Sequence, residues 1–158
     1  MQGTSFPVPP RALLAAVILL AAVALPVPAR AHDAPKFAAG EPGNPKKPYR
    51  TITVKMDDRY FEPSTIVVRR GEQIRFVLSN DGFEDHEFML ATAEENRKHA
   101  EVMKKFPDME HDDPNGKRLS PFNKGALIWK FTKRGVFEFA CLIPGHFEAG
   151  MVGKVIVK

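Results

Sequence analysis

Apolar and polar residues alternate along several short stretches of the chain, and this period of two predicts strands. Residues 51–56 (Thr-Ile-Thr-Val-Lys-Met) alternate in this way and are rich in β-branched side chains. Residues 65–69 form a second run, introduced by Pro63. Arg70-Gly71-Glu72 turns the chain into residues 73–78, where Ile74, Phe76 and Leu78 share one face and Gln73 and Arg75 the other. Asn80-Asp81-Gly82 is turn chemistry, after which His86-Glu87-Phe88-Met89 resumes the pattern. Further strands are predicted at residues 126–131, 136–141 and 151–158, the first two joined by Arg134-Gly135.

The rhythm breaks between Leu90 and Asn123. Thr92 with Glu95 three residues later makes a capping box, good helix formers continue to Lys105, and Phe106-Pro107 ends the run. Asp112-Asp113-Pro114-Asn115-Gly116 then reads as a loop. Several short strands separated by turns predict an all-β, Greek-key antiparallel sandwich with one short helical insertion at residues 90–123.

At the N-terminus Arg11 precedes an apolar run over residues 12–25, too short to span a bilayer, and Ala29-Arg30-Ala31 follows as a small-x-small cleavage site. Residues 1–31 therefore read as a cleaved secretory signal, the alternative being a retained membrane anchor, and an exported, periplasmic mature chain with no membrane segment is expected. Residues 32–48, rich in Pro, Gly, Ala and Lys and without apolar periodicity, read as a flexible arm. Residues 49–158 form the folded domain. The formal net charge is +4, of which Arg11 and Arg30 carry two, so the mature chain lies near +2. Its charges are mixed in sign and no basic run interleaves with aromatics, which argues against a nucleic-acid surface.

The chain has one cysteine, so an internal disulfide is excluded. A lone cysteine is ordinarily an inert core residue. Cys141, however, is followed by His146 and then Met151, each five residues on. A thiolate, an imidazole and a thioether on one short loop are three of the four ligands of a blue-copper site. Two imidazoles and a thiolate with a weak axial sulfur suit both Cu(I), which prefers soft ligands, and Cu(II), which prefers nitrogen. The fourth ligand must be a histidine from a distant strand. His86 stands after an apolar strand, whereas His32, His99 and His111 lie in the arm or the insertion. Zinc is disfavoured because its sites rarely use methionine. The absence of Cys-x-x-Cys-His excludes covalent haem, and the absence of any His-x-His pair argues against a multicopper oxidase.

The segment from Val136 to Lys158, with its Cys-x4-His-x4-Met loop, resembles the copper-binding end of the cupredoxins, and its spacing is similar to that of rusticyanin-type members. Residues 79–88 (Ser-Asn-Asp-Gly-Phe-Glu-Asp-His-Glu-Phe) resemble the segment carrying the first histidine of that family. One departure is Glu87, where many cupredoxins have a small polar residue. The insertion carries His99, Met103, Met109 and His111, and with His86-Glu87-Phe88-Met89 it resembles the CopI-type periplasmic copper-tolerance cupredoxins.

The resemblance implies a copper cofactor, with metal ligands His86, Cys141, His146 and Met151. It also implies one-electron transfer in copper tolerance rather than enzymatic catalysis, with a copper carrier or a weak cuprous oxidase as the alternatives. In the insertion, Met103 is expected to pack the helix on the sandwich with both histidines solvated; the alternative is an accessory copper site among His99, Met103, Met109 and His111, with the mature N-terminal His32 as a further candidate. A redox or copper-handling protein is expected to dock transiently near His146, amid Leu142, Ile143, Pro144 and Phe147, on a monomer.

Overall fold

The computed structural model describes residues 37–107, 109 and 113–158. The expected signal at 1–31, together with His32 and His111, lies outside the described residues. Ten strands and one helix follow in order: β1 (Glu41–Pro42), β2 (Arg50–Asp57), β3 (Tyr60–Glu62), β4 (Thr65–Val68), β5 (Gln73–Asn80), β6 (His86–Ala91), α1 (Ala93–Lys105), β7 (Gly116–Leu119), β8 (Lys124–Lys130), β9 (Gly135–Ala140) and β10 (Val152–Val157).

They form two five-stranded sheets, β1-β8-β5-β2-β3 and β4-β10-β9-β6-β7. The alternation predicted from sequence sets which side chains meet between them. Val54, Met56, Ile74, Phe76, Leu78 and Trp129 come from the first sheet, and Ile66, Val68, Phe88, Leu90, Phe137, Phe139, Val155 and Val157 from the second. An aromatic cluster joins the layers: Phe88 stacks on Phe139 with centroids 5.0 Å apart, and Phe61 meets Phe139 edge-on at 5.1 Å.

The sandwich is mixed rather than purely antiparallel, because β2 pairs with β5, and β4 with β10, in parallel. Alternation dictates faces but not partners, so the sequence pattern is silent on this point.

β6 departs from alternation, with all six of its residues buried. The reason is α1, which covers the outer face of the second sheet: Met89 of β6 packs with Ala100 and Met103 of the helix and with Ala140 and Leu142. The capping box forms as expected, with Thr92 Oγ1 accepting from the Glu95 amide and the Glu95 carboxylate accepting from the Thr92 amide.

Residues 37–48, read from composition as part of a flexible arm, are in fact docked on the first sheet. β1 pairs with β8, Ala39 is fully buried, and its carbonyl accepts from Trp129 Nε1 at 3.2 Å. Phe37 meets the Trp129 ring edge-on at 5.3 Å. Gln73, inside β5, holds the rest of the segment by accepting from the Asn44 amide and donating to the carbonyls of Asn44 and Lys47. Composition registered the Pro and Gly content but not these fixed partners.

Trp129 is the only tryptophan in the chain, which makes this docking measurable. Deleting residues 32–42 is expected to shift the fluorescence emission to the red and lower the urea midpoint. Unchanged emission would contradict the docking.

Candidate metal centre

One end of the sandwich gathers the predicted ligands. His86 opens β6, Cys141 follows the last residue of β9, and Met151 precedes β10. Strand geometry thus fixes two ends of a loop on which His146 rides. The loop is closed by its own backbone: the Cys141 amide donates to the Met151 carbonyl at 3.1 Å and the Met151 amide to the His146 carbonyl at 3.0 Å. Glu148 accepts from the Gly145 amide at 2.8 Å and also pairs with Lys104 of α1 at 3.0 Å, so the insertion is tied to the loop.

One ligand-capable atom from each of His86, Cys141 and His146 lies within 4.8 Å of the other two. Cys141 Sγ is 3.4 Å from His146 Nδ1 and accepts from the Glu87 amide at 3.3 Å. His86 and Cys141 are fully buried, while the His146 side chain keeps 12% of its surface exposed. Met151 is buried in the same core cluster as Cys141.

The outer nitrogens of both imidazoles face carboxylates. His86 Nε2 lies 3.2 Å from Asp58 Oδ1, and His146 Nε2 lies 2.9 Å from Glu84 Oε2. Desolvation raises the Asp58 carboxyl, but its bonds with the His86 ring and with the Phe83 and Glu84 amides outweigh that, and it sits below its ordinary value. A carboxylate accepts, so each Nε2 is placed to donate to its partner, and in the neutral ring Nδ1 is then the nitrogen with the lone pair.

The loop leading to His86 is pinned by buried Asn80. Its amide nitrogen donates to the carbonyls of Glu84 and Leu119, and its Oδ1 accepts from the Gly82 amide. Asp58 was not among the sequence candidates. It belongs to a hairpin remote in sequence, and no local motif marks it.

The donor set can be tested against a metal on one atom. Among the described residues nothing hydrogen-bonds His86 Nδ1, although the ring is fully buried. A buried nitrogen lone pair without a partner is costly, and a metal ion beside Cys141 and His146 satisfies it. Two imidazoles beside a cysteine sulfur, with a methionine in the same cluster, suit copper.

The accessory candidates divide. Met103 and Met109 line a cavity of about 250 Å³, and Met89, which alternation assigned only to a strand, joins them there with Glu87. Gly116, opposite Met89 in β7, leaves room for this thioether: a Cβ at Gly116 would stand 2.6 Å from the Met89 methyl carbon. His99 lines a neighbouring cavity with Asn96 and Asn115 instead. In the expected apolar rim around His146, Leu142 is buried beneath α1, while Pro144 is exposed and Ile143 and Phe147 are half-buried.

A two-sheet sandwich with a His-Cys-His cluster at one end defines a cupredoxin. Residues 50–158 match the family described as copper binding proteins, plastocyanin/azurin family. The chain is 53% identical to the copper-resistant cuproprotein CopI of Rubrivivax gelatinosus over 82% of this chain and 79% of that protein. It is 35% identical to the copper-resistant cuproprotein CopI of Pseudomonas aeruginosa over 94% of this chain and 98% of that one. Among solved structures, auracyanin B superposes with a TM-score of 0.64 at 19% identity, covering 76% of this chain and 96% of its own, a likeness of fold. The chain belongs to the plastocyanin/azurin family of copper-binding proteins and is a cupredoxin of the CopI type. Its cofactor is copper.

Burial pushes the Cys141 thiol from 9.0 up to about 12, against the opposing pull of the Glu87 and Ile143 amides. The folded-state value lies above the unfolded one. The stability this group contributes is therefore complete below about pH 9 and is lost as pH rises through about 12. The urea midpoint of the apo-protein is expected to fall more steeply over that range than the midpoint of Cys141→Ser. Parallel profiles would contradict a buried, protonated thiol.

Proposed function

We propose that the protein is a periplasmic type 1 copper protein that exchanges single electrons in copper tolerance, and that His86, Cys141, His146 and Met151 are the residues that would hold the metal. The observation that carries this reading is the cluster of His86, Cys141 and His146, in which His86 Nδ1 is buried and has no hydrogen-bond partner among the described residues. When bound, copper supplies a Cu(I)/Cu(II) couple. The protein's part is to hold the donors in place, to exclude water, and to leave the edge of His146 near solvent as the route for the electron. The names of the relatives support the setting in copper resistance. The apolar run of residues 12–25 and its small-x-small site support export. Among the described residues no helix is long and apolar enough to cross a membrane. A transient partner would meet Pro144 and the exposed edge-to-face pair Phe83 and Phe122, whose centroids lie 5.3 Å apart.

A second reading, oxidation of Cu(I) as substrate, is favoured by the methionine-lined cavity. Thioethers prefer Cu(I). Glu87 lines that cavity while its amide bonds Cys141 Sγ, which links the two places through one residue. Oxidation of Cu(I) to Cu(II) would release one electron, for which a redox protein docked near His146 would be the acceptor. The carrier or buffer reading requires no such outlet.

Titrating the mature apo-protein with Cu(II) is expected to raise an intense thiolate-to-copper band that saturates at one equivalent and vanishes in Cys141→Ser. A folded protein without the band would refute the type 1 reading. Under anaerobic conditions the wild type is expected to bind Cu(I) beyond one equivalent. The excess should be lost in the combined Met89→Leu, Met103→Leu and Met109→Leu variant, and stoichiometry unchanged by those substitutions would remove the Cu(I) reading.

A further inference from the structure

The carboxylate behind His86 is built into the fold. Asp58 sits at the tip of the β2–β3 hairpin, between the paired residues Asp57 and Tyr60. The next residue, Arg59, has φ of +79°, a left-handed conformation that a side chain rarely adopts. Such strain persists only where surrounding contacts fix it, and it marks places where position matters.

Asp58 Oδ1 reaches His86 Nε2 at 3.2 Å and also accepts from the Phe83 amide at 3.1 Å. The approach depends on glycine at position 82. A Cβ there would stand 2.9 Å from His86 Nε2 and closer still to Asp58 Oδ1. Two separate features, a glycine gap and a shared acceptor oxygen, thus converge on one ring nitrogen. The His86 side chain is fully buried whereas Asp58 retains 37% exposure. The carboxylate therefore stands at the boundary between solvent and the buried ring, which it touches directly.

We propose that Asp58 is a positioning residue for the copper centre, fixing His86 as the Nε2–H tautomer with Nδ1 toward the metal and favouring Cu(II) over Cu(I) through the ring. A carboxylate on the far nitrogen raises the basicity of the ligating one, and the higher-charged ion gains more from that. Glu84 faces His146 in the same sense, but its side chain is 56% exposed, so water screens it and its influence is smaller.

The inference rests on the copper reading above, and its test separates the two. In the apo-protein, long-range ¹H–¹⁵N correlation of the His86 ring is expected to show a single Nε2–H tautomer in the wild type and a tautomer mixture in Asp58→Ala. In the copper-loaded protein, Asp58→Ala is expected to lower the preference for Cu(II) over Cu(I) about tenfold, a rise of about 59 mV in reduction potential. Asp58→Asn, which keeps an acceptor but loses the charge, should fall in between. Asp85→Asn removes a neighbouring charge that pairs with Arg118 rather than with a ligand, and should shift the potential less than Asp58→Ala.

A single Nε2–H tautomer persisting in Asp58→Ala would overturn the positioning role. So would an Asp58→Ala potential shifted no more than that of Asp85→Asn. A wild type that takes up copper without the thiolate band would refute the copper reading, and the tautomer result in the apo-protein would still decide the role of Asp58.

Discussion

The site depends on a buried lone pair. His86 Nδ1 is held deep in the sandwich end with its outer nitrogen already engaged by Asp58, so it has no means of turning toward another partner. Beside it lies a thiol that burial keeps protonated. Neither group is comfortable without a metal, because a buried polar atom without a partner costs stability and a buried thiolate costs more. A copper ion held by these residues would displace the thiol proton and satisfy both groups at once.

That cluster is affordable only on a rigid frame. Cys141 and Met151 flank paired strands, β9 and β10, whose register runs unbroken from Ala140–Val152 to Gly135–Val157. The stacked Phe88 and Phe139 lie in the same two strands that present His86 and Cys141. Displacing either ring would move a donor. The loop between the sulfur residues is closed by backbone bonds and braced by Glu148 against Lys104, so the helix inserted after β6 is a mechanical neighbour of the copper loop. Glu87 carries the same relation inward, since its amide bonds Cys141 Sγ and its side chain lines the methionine cavity.

Much of this was legible in the sequence, and the missing parts share a physical reason. Strands with a buried face, such as β5 and β9, declare themselves through alternation, and Cys141, His146 and Met151 fall on one short loop. His86 was singled out because the cluster needed a second nitrogen donor and few histidines were placed to provide one, and the structure sets it beside Cys141 and His146. The short strands β3 and β7 carry few buried residues and are made by their partners rather than by their own pattern. β1 lies in a stretch of Pro and Gly and exists because it pairs with Trp129 and Lys130 of β8, while Gln73 holds the residues that follow it. Parallel pairing, the role of Asp58 and the inclusion of Met89 in the cavity all depend on which distant segments meet, and a local pattern carries no such information.

The most direct test of the account is X-ray absorption at the copper edge of the mature protein loaded with one equivalent of Cu(II). One short copper–sulfur bond with two imidazole nitrogens, the sulfur shell vanishing in Cys141→Ser, is the predicted result. A first shell made only of nitrogen and oxygen would contradict it and place the metal elsewhere on the chain.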